Sequence, residues 1–303
     1  MQVYLPIAEM SVDALLLLGI GFGVGWLSGL FGVGGGFLLT PLLILIGIPS
    51  PVAVASGANQ TIGASVSGLI AQWRRGNVDV RMGLVLLAGG FTGSALGVQL
   101  FAALRKMGQV DLAVAIFYVV VLGTVGGLMV MESVRAIVQR RRTGGTPKRH
   151  EHFWMHGLPW KMRFRKSRLY ISVIPPALVG FAIGILSAVM GVGGGFMLVP
   201  AMIYLLGMPT SVVVGTSLFQ VVFVATNVTL LQAVQTGSVD VVLTMLLLVG
   251  GVAGAQFGAA FGSKLRGEEM RALLGLLVLG VALSLLWGLV RRPDKLFTIG
   301  PLL

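Results

Sequence analysis

Gly25-Trp26-Leu27-Ser28-Gly29-Leu30-Phe31-Gly32-Val33-Gly34-Gly35-Gly36-Phe37-Leu38-Leu39-Thr40-Pro41 stands inside a long apolar stretch, and the chain writes the phrase a second time as Gly184-Ile185-Leu186-Ser187-Ala188-Val189-Met190-Gly191-Val192-Gly193-Gly194-Gly195-Phe196-Met197-Leu198-Val199-Pro200. Glycine runs break helices, because a residue without a Cβ loses the most freedom on being ordered. In lipid the freed backbone groups must be hidden in protein or in a wet cavity. A break that recurs at matching points of two halves is a pointer to a transport site.

The surrounding composition fits that reading. Of 303 residues, 56% are hydrophobic and 11% charged, and the mean hydropathy is +0.95. These values exclude both disorder and an ordinary soluble domain. The 45 glycines are about twice the usual share, as close-packed membrane helices favour. The net charge of +12 does not indicate nucleic acid, since eleven of the 22 Lys and Arg lie between Arg135 and Arg168 in one loop between apolar spans. That is the pattern of cytoplasmic anchoring. With no cysteine, there is no disulfide, thiol nucleophile or Cys metal site. The leader Met1 to Ser11 lacks the basic region of a cleaved signal.

Working outward, apolar segments fall at about 13–30, 34–47, 52–72, 82–104, 111–132, 170–189, 194–207, 211–233, 241–262 and 271–290. Most reach the ~20 residues that a helix needs to cross a bilayer. Segments 34–47 and 194–207 do not; each follows a glycine phrase and ends near Gly47-Ile48-Pro49 or Gly207-Met208-Pro209. The correspondence continues: Gln60 with Gln220, Gly76-Asn77-Val78-Asp79 with Gly237-Ser238-Val239-Asp240, and Gly89-Gly90 with Gly250-Gly251, at offsets of 159 to 161. The expected fold is therefore an all-α polytopic membrane protein of two five-segment inverted repeats, each with a short broken or re-entrant helix. The expected units are a membrane repeat over 1–132, a basic cytoplasmic linker over 133–168 and a second repeat over 169–303. Five crossings per half would place both termini outside. Arg105, Lys106, Arg291, Arg292 and Lys295, which would also lie outside, run against that assignment. The Gly-x-x-x-Gly faces at 93–97 and 254–258 suit close packing.

In the basic loop, Trp154, Trp160 and Phe164 stand among Lys161, Arg163, Arg165 and Lys166. Two readings stand: rings at headgroup depth with cations on anionic lipid, or a solvated linker. His150, His152 and His156 match no metal-ligand pattern. Asp79 and Asp240 precede apolar runs and read as helix caps. No Asp/Glu/His chain, paired carboxylate, Ser-His-Asp set or metal box is found in the spans, so the chain is not expected to be an enzyme and needs no cofactor. The Gly-x-Gly-Gly-Gly run lacks the Gly-Lys-Ser/Thr of a nucleotide loop.

What remains is a site of backbone and neutral side chains. After each break a short helix begins, with free N–H groups and the positive end of its dipole. Such an end favours an anion. The glycines Gly34, Gly35, Gly36, Gly193, Gly194 and Gly195 and the polar residues Ser28, Ser56, Asn59, Gln60, Ser187, Thr216, Ser217 and Gln220 are the candidate substrate-binding residues. Tight helix packing, and interhelical bonding for the Asn and Gln, are the alternatives.

The doubled phrase with its prolines, Gly215-Thr216-Ser217, Gly76-Asn77-Val78-Asp79 and the Gly89-Gly90 stretch resemble the TauE/SafE sulfite exporter family of integral membrane proteins. The resemblance covers all but the basic loop. It implies a bacterial inner-membrane secondary transporter, an exporter of sulfite, an organosulfonate or a related sulfur oxyanion. An anion channel or a non-transporting membrane scaffold are the competing classes. The expected partners are a small anionic substrate, the bilayer with anionic lipid at the basic loop, and a second copy of the chain, but no nucleic acid. The first half has Ala55-Ser56-Gly57 where the second has Gly215-Thr216-Ser217, so the site is not expected to be fully symmetric.

Overall fold

A computed structural model describes residues 2–31, 34–143, 159–262 and 267–290. Each half opens with a strand pair and continues into five helices. The first half holds β1 (Gln2–Leu5), β2 (Met10–Asp13), α1 (Ala14–Phe31), α2 (Gly36–Leu45), α3 (Ser50–Arg74), α4 (Val80–Lys106) and α5 (Val110–Thr143). The second holds β3 (Lys161–Phe164), β4 (Leu169–Ser172), α6 (Ile174–Met190), α7 (Gly195–Pro200), a π-helical turn (Ala201–Leu205), α8 (Thr210–Gln235), α9 (Val241–Gly262) and α10 (Gly267–Val290). Helices α1, α4, α5, α8, α9 and α10 are long and apolar enough to cross a membrane. The 25 residues of α3 span about 37 Å at 1.5 Å per residue, but its polar face keeps it out of that set.

The contacts repeat under exchange of the halves. Helix α1 packs on α9 as α6 packs on α4, while α3 crosses α8 and α5 pairs with α10. Glycine makes the first two contacts possible. A Cβ on Gly25 would collide with the Gly251 carbonyl, and one on Gly93 with the Phe181 carbonyl. The Gly-x-x-x-Gly faces are thus backbone-to-backbone seams.

The order of these contacts also fixes chain direction. Gly21, Gly25 and Gly29 meet Leu247, Gly251 and Ala255 in turn, so α1 runs parallel to α9. Gly36 meets Thr61 whereas Gly57 meets Thr40, so α2 runs antiparallel to α3. Past α1 the chain folds back until Gly35 faces Val24 and Ser28; past α6, Gly194 faces Ile183. Each broken pair is therefore re-entrant, entering and leaving on one face. This is the re-entrant form of the short broken helix, which the sequence left open beside five full crossings. The helices that follow it (α3, α4 and α5; α8, α9 and α10) are odd in number in each half, as five crossings would be, so the repeat is inverted and both ends of the described chain lie on one face.

The strand pairs were not expected from sequence. Their turns end alike, with Glu9 and Arg168 both at a φ of 52°. Each tip sits on a helix of the opposite half. Asp79 accepts from the Met82 N–H at 3.3 Å, as a cap, and with its other oxygen from the Ser167 N–H at 3.0 Å and hydroxyl at 2.7 Å. Asp240 accepts from the Leu243 N–H at 3.1 Å and from the Ile7 N–H at 3.0 Å. The capping reading of both aspartates holds, and each also fastens a hairpin. At the head of α1, the Leu15 N–H bonds Asp13 and holds its carboxyl below the usual range. Phe164 fits neither reading of the basic loop, being fully buried in one cluster with Met82, Leu86 and Ile171, while Trp160 is exposed. Trp154, the three histidines and the cations from Arg135 to Arg149 lie outside what the structure describes of side chains.

Candidate functional site

The two breaks meet where α3 crosses α8. A Cβ on Gly34 would lie 3.2 Å from Thr61 Cγ2 and 3.6 Å from Val221 Cγ1; one on Gly193 would meet the same two atoms. Thr61 and Val221 are themselves matched, at an offset of 160. A Cβ on Gly36 would come within 2.9 Å of the Gly191 carbonyl oxygen. Beyond the loops, matched Phe37 and Phe196 stack with ring centroids 5.4 Å apart. Pro41 and Pro200, having no N–H, leave the carbonyls of these phenylalanines without a helical donor. The crossing lies about 15 Å along α3 and α8, near mid-membrane.

Neither short helix has a side-chain cap at its start. Gly35 precedes the ten residues of α2 with an ordinary φ of −61°. Gly194 precedes the six residues of α7 at +77°, and Gly193 is at +69°. Only glycine tolerates two successive left-handed residues in so tight a loop. Gly195 and Gly36 begin their helices.

The candidate side chains divide into two groups. In the first, the hydrogen bonds are made. Asn59 donates to the Ala55 carbonyl of its own helix at 3.2 Å, and Ser217 to Val214 at 2.9 Å. Thr216 donates to Val212 at 2.8 Å and accepts the Asp79 N–H at 3.0 Å, tying α8 to the start of α4. In the second group, buried polar atoms have no partner: both amide atoms of Gln60 and of Gln220, and the hydroxyls of Ser56 and Ser187. Both glutamines are fully buried. Gln60 lays its amide against Gly251 of α9, and the Gln220 nitrogen would lie 2.9 Å from a Cβ on Gly90 of α4. This explains the paired glycines. Gly89 and Gly250 face α6 and α1, and Gly90 and Gly251 make room for the glutamines. Ser28, 3% exposed, places its Cβ 3.1 Å from where a Cβ on Gly35 would be.

Sequence reading missed three residues here. Ser65, fully buried, has an unpartnered hydroxyl beside Gly34. Tyr118 of α5, also fully buried, donates to the carbonyl of Met190 at 2.5 Å, closing the end of α6 just before the second break. Thr40 sits between α2 and α3, 3.5 Å from the Ala53 carbonyl. Ser65 and Thr40 face Val or Ala at the matching positions of the other half, so repeat matching passed over them.

Electrostatically the crossing is neutral apart from its helix ends. Asp79 and Asp240, at the heads of α4 and α9, are the charged residues buried among those described, and hydrogen bonds engage both. Among the described residues no group of three His, Asp or Glu could hold a metal. Buried amides and hydroxyls without partners can solvate an anion by hydrogen bonding, and the uncapped starts of the broken helices offer further donors.

A model of the family described as Sulfite exporter TauE/SafE matches residues 17–285. YjnA of Bacillus subtilis, described as a probable membrane transporter protein, is 27% identical over 280 residues, covering 91% of this chain and 100% of its own. A probable membrane transporter protein of Xylella fastidiosa strain Temecula1 is 29% identical over 287 residues, covering 92% and 97%. YunE of Bacillus subtilis, also a probable membrane transporter protein, is 22% identical over 281 residues, covering 90% and 97%. No solved structure matches the chain. With nearly all of its length covered by one family model, and with its doubled helix breaks meeting at mid-membrane, this chain belongs to the TauE/SafE family and is a multi-pass transporter of the bacterial inner membrane, not an enzyme.

Proposed function

We propose that this transporter exports a small sulfur-containing oxyanion, sulfite or an organosulfonate, through a site at the crossing of α3 and α8. The unpaired, fully buried amides of Gln60 and Gln220 carry this reading. An amide with no partner at mid-membrane weakens the fold by about 1–3 kcal/mol, and two matched ones point to a ligand that completes them. The family description supplies the sulfur oxyanion. In this proposal the glycines at 34–36 and 193–195 and the hydroxyls of Ser28, Ser56 and Ser187 complete the donor set, with Asn59, Thr216 and Ser217 beside them.

Each re-entrant pair is fastened to a crossing helix of the opposite half, α1 to α9 and α6 to α4. A motion that opens one break therefore moves the helix of the opposite half against which that break's own glutamine rests, α9 for Gln60 and α4 for Gln220. Each break and its glutamine are thus coupled through the other half, as alternating exposure requires. Arg74, Arg75, Arg81 and the cations of β3–β4 share one face, against Arg105 and Lys106 on the other. The positive-inside bias makes the first of these faces cytoplasmic, with 133–168 as the cytoplasmic link between repeats. Export of an anion from a negative-inside cell is then favoured by ~2.3 kcal/mol per charge per 100 mV.

Gln60→Leu and Gln220→Leu test the site. Each keeps most of the volume and removes an unmet polar group, so the apparent melting temperature should rise. Sulfite or sulfonate flux in proteoliposomes under an imposed potential should fall at least about tenfold. Unchanged flux in both variants refutes the site. Single-channel currents from the unmodified protein would replace the transporter with a channel.

A further inference from the structure

We infer that the anion's primary seat is the break of the first half, formed by the start of α2 together with Ser65, and that it takes a singly charged oxyanion in preference to a doubly charged one. The inference rests on the transport site proposed above and narrows it.

Ser65 lies one turn beyond Thr61 on α3 and is fully buried. Its hydroxyl has no hydrogen-bond partner and stands 3.1 Å from the point that a Cβ on Gly34 would occupy. It therefore faces the opening to α2, whose start has no side-chain cap. A hydroxyl in a membrane helix ordinarily donates to a carbonyl one turn back. Thr61 does so to Gly57 at 2.8 Å, Thr216 to Val212 at 2.8 Å and Thr226 to Val222 at 2.7 Å. Ser65 does not, although the same option exists on its helix. Its free proton is thus available to a ligand at the break.

The other half cannot do this. At the matching offset of 160 the chain has Ala225. Its short helix begins at Gly195 and continues through the π-helical turn to Leu205, so the two helix starts are alike and the difference lies in the hydroxyl. The two breaks share glycines, but among the described residues Ser65 is the unengaged hydroxyl that stands against a left-handed glycine of a break.

The charge of the ligand follows from the donors. Around Gly34 the nearest side chains are Ser65, Thr61 and Val221, and around Gly35 Val24 and Ser28, none of them a cation. The helix start contributes roughly half a positive charge. The cost of taking an ion out of water grows with the square of its charge, so a dianion pays four times the desolvation cost of a monoanion. Hydroxyls, amides and one helix end can match the smaller cost and not the larger.

Purified full-length protein in nanodiscs, titrated with sodium methanesulfonate and with sodium sulfate at equal ionic strength, tests the seat by thermal shift and calorimetry. Methanesulfonate should bind and raise the melting temperature, and sulfate should bind at least about tenfold more weakly. Ser65→Ala should weaken methanesulfonate about tenfold with no loss of ligand-free stability, and Ser65→Gly should match it in affinity. Ala225→Ser should change neither. Equal affinity in the Ser65 variants and the unmodified protein overturns the seat, while binding abolished by Gln60→Leu in the same assay keeps the broader site. Sulfate bound as tightly as methanesulfonate overturns the charge preference. Loss of ligand-free stability in both Ser65 variants makes the residue structural and also overturns the seat. An absence of binding by either anion, together with no sulfonate flux, overturns this inference and the transport reading together.

Discussion

In the first break Gly34 is left-handed and Gly35 has a helical φ, and a ten-residue helix follows. In the second, Gly193 and Gly194 are both left-handed, and six helical residues give way to a π-turn after Pro200. The polar residues differ in the same sense. In the second half Thr216 bonds the Asp79 N–H, Asn227 donates to Ser94 at 2.8 Å, and Gln232 donates to the Ala188 carbonyl at 3.0 Å. In the first half the matching Ser56 is unpartnered, and Ser67 and Ala255 stand where a counterpart of the Asn227–Ser94 bond would be. At these positions the second half bonds a neighbouring helix and the first does not, although Gln220, Ser187, Thr229 and Thr244 of the second half are unpartnered too. A duplicated scaffold has thus kept two breaks and two open glutamines while individual polar positions of its halves diverged.

The largest expected effect tests the second break as support. Gly193→Val adds a branched side chain at positive φ against Thr61 and Val221. It should cost about 3 kcal/mol or more and abolish monodisperse protein in detergent. Gly35→Ala, at a φ of −61°, should leave protein that folds, with a smaller cost from its approach to Val24. Equal yields would erase the difference between the breaks. Next come the two hairpin latches. Asp79→Ala removes three accepted bonds and Asp240→Ala two, so melting shifts should reflect about 3 and about 2 kcal/mol. The reverse order would mean that the first hairpin, not the second, is the tighter clasp. The smallest effect lies in the matched hydroxyls. Thr216→Val orphans the Asp79 N–H and should cost about 1–2 kcal/mol, whereas Ser56→Ala removes an unpaired group and should cost nothing. Thermal unfolding of the two variants side by side decides whether their roles differ as their bonds do.

The doubled phrase made the repeat, the two short helices and the glutamines legible before any coordinates. Gly34 to Gly193 and Gln60 to Gln220 keep one register over a whole half, and only a shared fold demands that. The strand pairs stayed hidden because four-residue strands such as Gln2–Leu5 carry too few positions for alternation to speak. Ser65 stayed hidden because repeat matching finds what is common, and this hydroxyl has no counterpart. The dual use of Asp79 was half legible: a cap depends on residues three positions apart, but its second oxygen meets Ser167, 88 positions away.

By itself the sequence determined that this is a membrane protein, that it is built twice, and that each copy breaks a helix at the same place. Those properties depend on hydropathy and on glycine, which act locally along the chain. Only the tertiary structure decided that the broken helices return to the face they entered, that both breaks converge on Thr61 and Val221, and which hydroxyls are left without a partner. Those depend on distances between residues far apart in the chain, where a hydrogen bond made in one half and missing in the other separates a wall from a site.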